Sequence, residues 1–408
     1  MSANIANSPD GDRLSRRAGS LRATLLRMLE AFALDPAVVH LNHGSFGACP
    51  RAALAVQSAW RARMEAATMR FYVVEWRPAL DEARAAVARF VGADPGGLAF
   101  VPNATTAVAT ALDALVGEGD EIVTTDHAYA ACRNALDRVA RTRGATVVTA
   151  HVPFPLTDPH APTERILAAV TPHTRAVLLD HISSPTALVL DVATISRELS
   201  ARGVHVIVDG AHAAGTLDLD LARLPGVAVY TSNLHKWPCA PKGVAFLHVR
   251  DDLRDTIRPL VTSHGATCAP PERFLAEHDW TGTHDPSGYL AAPAAIEELA
   301  RLGGDWPSLR ARNHALALQM RDVLLERLGG TPPAPDALLG AMASIPVTLP
   351  EPPRAFERRL LETGWEVAIA DWTPLAATYI RVSAHVYNTL DDARRLADHL
   401  HALGVRGS

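Results

Sequence analysis

"TSNLHKWPCAPKG", Thr231 to Gly243, contains both lysines of a 408-residue chain that carries 39 basic side chains. Arginine serves as well as lysine wherever a surface position needs only a cation on a flexible stem. Lysine differs because its amine can lose a proton near neutral pH and attack a carbonyl carbon to form an imine. The clustering of Lys236 and Lys242 therefore predicts an imine-forming lysine in this stretch.

Around this stretch, apolar segments alternate with amphipathic ones from about residue 98 to residue 249. Such alternation is typical of a parallel sheet whose strands are joined by crossover helices. The sequence therefore predicts an α/β fold built on a seven-stranded, mostly parallel sheet. The predicted strands are LAFV (98–101), EIVTT (121–125), TVVTAHV (146–152), AVLLDHI (176–182), HVIVDGA (205–211), VAVYTS (227–232) and VAFLHV (244–249).

The chain changes character after Arg301. Two glycines, a helical pattern from Pro307 to Leu328 and a proline-rich segment precede three further strand patterns, "AMASIPVTLP", "WEVAIA" and "TYIRVSA". These features indicate a smaller α+β domain at the C-terminus. We expect a disordered leader at 1–20, an N-terminal helix at 21–40 that joins the small domain, a large domain at 41–302 and a small domain at 303–408.

Composition and charge exclude several classes of function. The formal net charge is −5, and no run of arginines is interleaved with aromatic residues, which argues against a nucleic-acid partner. No apolar stretch is long enough for a membrane span, and the polar N-terminus lacks the apolar region of a secretory signal, so we expect a cytoplasmic protein. The four cysteines are far apart and no metal-ligand motif occurs, which predicts reduced thiols and no metal.

Two further features agree with an imine-forming lysine that serves pyridoxal phosphate. Asp209 ends a predicted strand, where ligands of open α/β sheets bind, and a carboxylate there can pair with a protonated pyridine nitrogen. Thr105 and Thr106 begin a predicted helix, and a helix N-terminus with hydroxyl groups can hold a phosphate. Each feature has a plainer interpretation, since aspartate is common in turns and threonine is common as a helix cap.

The sequence resembles the class V, fold-type I pyridoxal-phosphate enzymes, and within them the isopenicillin N epimerase-like branch. The motifs that carry this resemblance are LNHGSFG, PNATTA, TTDHAYAACRNAL, DGAHA, NLHKW, TGTHDPS and IRVSAHVYNT, spread from about residue 41 to residue 400. The resemblance implies a fold-type I transferase fold, pyridoxal 5'-phosphate as cofactor, an amino acid as small-molecule substrate and a homodimer with shared active sites.

The resemblance also implies roles for individual residues around the cofactor. Lys236 matches the imine-forming lysine, Asp209 matches the partner of the pyridine nitrogen, and His212 matches the residue near the phenolic oxygen. His127 matches the residue that stacks on the cofactor ring, a role that Tyr129 could share. The residues that match the phosphate site are Thr105, Thr106, Asn233 and His235, with Thr283 reaching the phosphate of the neighbouring subunit.

On the substrate side, Arg381 matches an arginine that binds the substrate carboxylate, a role suited to a planar, bidentate donor. Asn42 and His43 are expected to line the same side. Ser184 stands where many relatives have an asparagine over the cofactor ring, so the contacts to the substrate differ there. Lys242 matches no functional position, and we expect it to be a solvated loop residue.

The reaction is left open between several alternatives. Persulfide-forming cysteine desulfurases need a cysteine shortly before the carboxylate arginine, and "GWEVAIADWTPLAATYIR" contains none. We favour β-elimination at the C–S bond of an S-conjugated cysteine in secondary metabolism, because a thiolate is a competent leaving group. The alternatives are decarboxylation coupled to oxidative deamination, epimerisation of an amino acid, and a catalytically silent protein that only binds a ligand.

Overall fold

The computed structural model describes residues 28–372 and 377–408. The predicted leader, 1–20, lies outside the described residues, as does the first part of the predicted N-terminal helix, 21–27. The prediction of a helix is wrong from residue 31 onward, because the chain forms turns there and then the short strand β1, Val39–His40. Pro36 lacks the N–H that a helix interior requires, and the Asp35 carboxylate accepts a hydrogen bond from the Ala37 N–H, which stabilises a turn.

A seven-stranded sheet forms the centre of the molecule, and it contains all seven strands that the sequence predicts. Its spatial order is β2-β8-β7-β6-β5-β3-β4, and only β8 runs antiparallel to both of its neighbours. The central strands are apolar and buried because helices cover both faces of the sheet. The strands are β2 Leu98–Val101, β3 Glu121–Thr125, β4 Thr146–Ala150, β5 Thr174–Asp180, β6 His205–Asp209, β7 Val227–Asn233 and β8 Ala245–Val249.

Helices of this part alternate with the strands, and their ends follow local sequence signals. The helix Ala130–Arg143, for example, ends at Gly144, whose backbone is left-handed with φ 61°, as the sequence predicts. The helices up to residue 303 are Arg51–Ala66, Thr68–Arg70, Trp76–Val91, Ala104–Leu115, Ala130–Arg143, Ala161–Ala168, Val192–Ser200, Arg273–Asp279 and Ser287–Gly303.

The C-terminal part packs three helices, Trp306–Leu328, Pro353–Glu362 and Leu390–Ala402, against an antiparallel sheet. The order of that sheet is β11-β12-β9-β13, and the short strand β10, Trp365–Glu366, pairs separately with β1. This arrangement agrees with a smaller α+β unit, while the domain limits 41–302 and 303–408 stay a prediction. The strands are β9 Met342–Thr348, β11 Ala368–Trp372, β12 Ala377–Ser383 and β13 Arg406–Gly407.

Two segments of the fold meet where the functional residues are found. The carboxyl ends of β5, β6 and β7 bring Asp180, Asp209 and Asn233 to one edge of the large sheet. The end of β12 faces the same edge, because the Ser383 N–H donates to the Leu41 carbonyl just before the LNHGSFG segment. Within the described ranges, we find no helix with both the length and the apolar character to span a bilayer.

A buried ion pair between Arg84 and Asp279 tests the packing of the large domain. Both side chains are almost fully buried, with 2.7 Å between guanidinium and carboxylate, and Arg84 also donates to the Leu98 carbonyl. Asp279→Ala should lower the free energy of unfolding by about 3 to 5 kcal/mol, because it leaves the buried Arg84 cation with only the exposed Asp81 carboxylate, at 3.3 Å. Urea titration of the cofactor-free protein measures this change.

The matched control for Asp279→Ala is Arg301→Ala, which breaks a pair on the exposed side of a helix and should change stability little. Replacement of both buried partners, Arg84→Met with Asp279→Leu, should restore most of the lost stability. A loss below about 1 kcal/mol in Asp279→Ala would contradict the burial of this pair.

Candidate active site

A cavity of about 160 Å³ opens at the carboxyl ends of β5, β6 and β7. It combines charged, hydroxyl and aromatic side chains from the large domain with a loop that precedes the helix Arg51–Ala66. The lining residues are Ser45, Phe46, Asn103, Ala104, Thr105, Tyr129, Asp180, Ser184, Asp209, Ala211, His212, Asn233, His235 and Lys236. Seven residues expected to hold a cofactor therefore meet in one place: Thr105, Tyr129, Asp209, His212, Asn233, His235 and Lys236.

Lys236 lies on the loop after β7, and its surroundings favour the neutral amine. Burial and, secondarily, the positive charge of Arg381 lower the pKa of Lys236 to about 8, against the opposing effect of Asp209. The Lys236 Nζ lies 3.3 Å from His212 Nε2. Burial and the positive charges of Lys236 and Arg381 also hold the pKa of His212 well below its ordinary value, so this imidazole is neutral. A substantial neutral fraction of Lys236 near pH 8 makes it a competent nucleophile and base.

Asp209 and Asp180 form a pair of buried carboxyl groups on neighbouring strands, with their Cα atoms in register. The Asp209 carboxylate accepts hydrogen bonds from the Ala211 N–H (2.9 Å) and the Cys132 thiol (3.1 Å). Burial and the charge of Asp209 hold the pKa of Asp180 well above its ordinary value. Asp180 is therefore held in its neutral, protonated form.

The N-terminus of the helix Ala104–Leu115 forms the opposite end of the cavity. The Asn103 side chain caps this helix by accepting from the Thr106 N–H, and the Asn233 side chain accepts from the Ala104 N–H. His235 donates from Nδ1 to the Val244 carbonyl, and burial lowers its pKa to about 4. Thr105 is half-buried beside them, at the positive end of the helix dipole, where an anion is stabilised.

Arg381 projects from β12 and is held at the cavity by neutral groups. Its guanidinium donates to the Ser184 carbonyl and hydroxyl, to Asn42 Oδ1 (3.2 Å) and to Ser45 Oγ (2.7 Å). The side chain is buried, no carboxylate of the described residues lies within ion-pair distance, and burial lowers the pKa of Arg381 to about 10. A buried cation without a counter-charge is a strong site for a carboxylate ligand.

Several expected site residues lie outside the cavity wall. His127 uses both ring nitrogens, on the Thr186 hydroxyl (2.7 Å) and the Val152 carbonyl (2.9 Å), so its ring packs in the interior while Tyr129 lines the cavity. Both hydrogen bonds lie in the plane of the ring, so the stacking role of His127 stays a prediction, and Tyr129 is the aromatic residue that lines the cavity.

Thr106 and the LNHGSFG segment differ from the expected arrangement, whereas the expected contact of Thr283 is with a neighbouring subunit. The Thr106 N–H and hydroxyl both donate to the Asn103 side chain, and the Thr106 side chain lines a neighbouring apolar cavity. Thr283 is exposed and away from the cavity of its own chain. Asn42 reaches the site through Arg381, and His43 is buried behind Lys236, where it contacts the Lys236 carbonyl instead of facing the substrate side.

Sequence reasoning missed Asp180, Asn103 and Cys132. Asp180 ends "AVLLD" as Asp209 ends "HVIVD", and the same strand-end position could have revealed it. Asn103 precedes the helix at the usual capping position. No pattern in the sequence brings Cys132 to Asp209, because the contact joins a helix to a strand 77 positions away.

The cavity fits pyridoxal 5'-phosphate. It holds an amine with a lowered pKa, a carboxylate at a strand end and a helix N-terminus, which suit an aldehyde, a pyridine nitrogen and a phosphate respectively. His212 Nδ1 is buried and has no hydrogen-bond partner among the described groups, so a polar ligand atom would satisfy it.

Comparison with known proteins supports this interpretation. A family model described as "Aminotransferase class-V" matches residues 61–396. Isopenicillin N epimerase from Streptomyces clavuligerus is 36% identical over 392 residues, which cover 91% of this chain and 96% of that protein. Hercynylcysteine sulfoxide lyase from Schizosaccharomyces pombe is 26% identical over 327 residues, which cover 76% of this chain and 81% of that protein.

Solved structures show the same fold. The cystine C–S lyase C-DES, in complex with its reaction product cysteine persulfide, has a TM-score of 0.76 at 23% identity and covers 89% of this chain and 97% of that chain. Another structure of C-DES has glycine covalently linked to the pyridoxal-phosphate cofactor. The fold class and the cofactor predicted from the sequence are confirmed.

The pKa of Lys236 can be measured directly because the chain contains two lysines. Carbon-13 lysine labelling of the cofactor-free protein should give two Cε signals, and the signal lost in Lys236→Arg should titrate with a midpoint of about 8. Arg381→Gln should raise this midpoint, because it removes a positive charge that disfavours the protonated amine. The neutral fraction of Lys236 would then appear at higher pH than in the unaltered protein.

Arg250→Gln is the control for Arg381→Gln, since Arg250 is paired with Asp252 at the far end of β8. That variant should leave the Lys236 midpoint unchanged. A Lys236 midpoint at the ordinary value of 10.5 in the unaltered protein would contradict the burial of this amine.

Proposed function

We propose that this protein catalyses β-elimination at the C–S bond of an S-conjugated cysteine. The premise is that the chain belongs to the aminotransferase class-V family. The observation that carries this proposal is Arg381, a buried guanidinium with neutral partners beside a lysine with a lowered pKa. Arg381 suits the carboxylate of an amino acid, and Lys236 suits proton removal from the α-carbon of the same amino acid. The relatives described as a hercynylcysteine sulfoxide lyase and a cystine C–S lyase support cleavage next to sulfur.

The protein is a pyridoxal-phosphate-dependent enzyme. When bound, this cofactor draws electrons away from the α-carbon of an amino acid. We propose that Asp209 holds the pyridine nitrogen, that Lys236 holds the aldehyde carbon, and that Thr105 with the N-terminus of the helix Ala104–Leu115 holds the phosphate. Asn233 accepts a hydrogen bond from the Ala104 N–H at this helix terminus, His235 lines the same cavity, and the neutral Asp180 lies beside Asp209 on the adjacent strand.

Proton transfer in the proposed reaction needs one base. Lys236, released as a neutral amine, removes the α-proton of a substrate whose carboxylate is bound by Arg381. The Cβ–S bond then breaks, the electron pair leaves on the thiolate, and water converts the unsaturated product to pyruvate and ammonia. The wall of the described cavity includes no cysteine that would accept sulfur as a persulfide.

The mouth of the cavity suits a substrate with a large side chain. Phe46 is 73% exposed and Tyr129 is 43% exposed, and both line the cavity. Exposed aromatic rings at the entrance to a polar cavity gain free energy when an apolar thioether covers them. They favour a conjugate over free cysteine.

Epimerisation of an amino acid is the second candidate. The relative described as isopenicillin N epimerase covers most of the chain. Epimerisation needs a second acid in addition to Lys236, and the hydroxyl of Tyr129 is the polar group at the cavity mouth that could supply it.

We also propose a homodimer in which Thr283 reaches the phosphate of the neighbouring active site. Thr283 is exposed and does not line the cavity of its own chain. Three exposed apolar side chains, Met69, Val73 and Val74, lie on one helical segment of the large domain and are between 63% and 75% exposed. Such a patch is stabilised when a second copy covers it.

Val74→Glu should dissociate this dimer and weaken the binding of pyridoxal phosphate, because each site would lose a donor from the other subunit. Sedimentation velocity with absorbance of the cofactor measures both effects in one run. Leu361→Glu, an exposed apolar position on the C-terminal part, is the matched control and should change neither. A monomer that keeps tightly bound cofactor would overturn the shared site.

Incubation with S-conjugated cysteines in heavy water tests the reaction itself. β-Elimination should release the free thiol, pyruvate and ammonia, because the α-carbanion expels sulfur. Arg381→Ala should weaken substrate binding by roughly 2 to 4 kcal/mol while the cofactor absorbance stays in place. Lys236→Ala should abolish turnover, which would separate enzymatic cleavage from spontaneous release.

Other outcomes of the same incubation identify the alternatives. Intact substrate with deuterium at Cα and inverted configuration would replace the lyase with an epimerase. Carbon dioxide with an aldehyde would indicate decarboxylation coupled to oxidative deamination. A spectral change on binding without any product from several thioethers would contradict β-elimination and support the silent binding protein.

A further inference from the structure

Two stacked histidine rings lie behind the loop that carries Lys236. The centroids of His43 and His385 are 3.8 Å apart with 9° between the ring planes, and both residues are buried. His43 Nε2 lies 3.0 Å from the Lys236 carbonyl oxygen, and His385 Nε2 lies 3.4 Å from the Trp237 carbonyl oxygen. The pair therefore contacts two consecutive carbonyl groups of the lysine loop.

These contacts determine which ring nitrogen of His43 carries the proton. A carbonyl oxygen can only accept, so His43 donates from Nε2, and its Nδ1 accepts from the Tyr387 hydroxyl at 2.5 Å. Burial holds the pKa of His43 well below and the pKa of Tyr387 well above their ordinary values. In this relay of hydrogen bonds, the Tyr387 hydroxyl donates to His43, and His43 donates to the Lys236 carbonyl. Both side chains are neutral.

Cys239 completes the cluster without making it a metal site. Its Sγ lies 3.7 Å from His43 Nε2 and 3.6 Å from His385 Nε2, so the three atoms could be taken for metal ligands. A metal ion bonds an imidazole nitrogen in the plane of the ring, and two parallel stacked rings cannot both direct a lone pair at one ion. Their Nε2 protons point instead at the loop carbonyls and the polarisable sulfur.

The second lysine, Lys242, holds the Gly47 segment, which packs against the Lys236 carbonyl. A Cβ atom at Gly47 would lie 2.5 Å from the Lys236 carbonyl oxygen, so residue 47 must be glycine for the two backbones to pack this closely. The Lys242 ammonium donates to the Gly47 carbonyl and holds that segment in place. The Lys236 carbonyl also accepts from the Cys239 N–H at 2.9 Å, which closes the turn.

The cluster connects the lysine loop to the strand that carries Arg381. His385 and Tyr387 follow directly after β12, and the Ser383 hydroxyl at the end of β12 accepts from the Gly44 N–H at 3.1 Å. The position of β12 is therefore coupled to the groups that hold the Lys236 carbonyl.

We propose that His43 is a positioning residue, which Tyr387 holds in the Nε2–H tautomer so that it fixes the Lys236 backbone and directs the amine toward Arg381 and His212. The role of His43 is indirect, since it does not line the cavity. The inference rests on the proposed role of Lys236 but on no particular reaction.

The test compares His43→Leu, which removes the donor, with His43→Gln, whose amide can donate from nearly the same place. In carbon-13 lysine spectra of the cofactor-free protein, His43→Leu should raise the Lys236 midpoint by at least about half a pH unit, because the amine leaves its buried position. His43→Gln should restore most of the original midpoint. In the loaded enzyme, His43→Leu should lower kcat about 10- to 100-fold with a smaller change in KM.

Tyr387→Phe tests the relay without a change in volume, in case His43→Leu does not fold. Loss of the hydroxyl lets His43 adopt the other tautomer, so the Lys236 midpoint should move in the same direction by a smaller amount. Tyr379→Phe, on β12, is the matched control and should leave the midpoint unchanged.

The outcomes separate this inference from the proposed reaction. If His43→Leu and Tyr387→Phe lower only the melting temperature and leave the Lys236 midpoint in place, the cluster merely packs the core and the proposal is wrong. If the midpoint moves but no thioether is cleaved by the unaltered enzyme, the positioning role stands and the reaction assignment fails.

Discussion

The arrangement of the site depends on keeping a cation, Arg381, buried beside an amine that must lose its proton. Burial disfavours the protonated amine of Lys236, and the positive charge of Arg381 adds to this effect, so the pKa of Lys236 falls to about 8. Arg381 keeps its proton because a guanidinium is far more basic. The cavity is therefore prepared for anions, and a phosphate at one end and a carboxylate at the other would satisfy it.

The same constraint explains the polar groups around the two cations. A carboxylate side chain paired with Arg381 would compete with the carboxylate of a substrate. Serine and asparagine oxygens, which carry no charge, accept the hydrogen bonds of the guanidinium in its place. On the other side, Asp180 is held neutral by burial and by the neighbouring Asp209 on the adjacent strand. The Asp209 carboxylate accepts hydrogen bonds from the Cys132 thiol and the Ala211 N–H, at the position suited to a pyridine nitrogen.

Local patterns predicted the parts of the fold whose physical causes are local. Every strand of the large sheet is a short apolar segment bounded by turn residues, so its position could be read directly. The sequence singled out Lys236 by the clustering of the two lysines and Asp209 by its position at a strand end. The contacts of His127 and His43 could not be predicted, because their hydrogen-bond partners, Thr186 and Tyr387, are 59 and 344 positions away. Such contacts leave no periodic signal in one sequence.

A reaction assignment for this fold depends on groups at the mouth of the cavity more than on groups at its base. In the proposed function, Lys236, Asp209 and Arg381 together make the α-proton of an amino acid removable, and that step is shared by epimerisation and β-elimination. The fate of the carbanion depends on whether a second acid protonates it before a leaving group departs. Tyr129 is one of the hydroxyl-bearing residues that line the cavity, and protonation of the carbanion needs such an external donor, whereas departure of a leaving group does not. A thiolate leaves readily by comparison, so an S-conjugate would partition toward elimination.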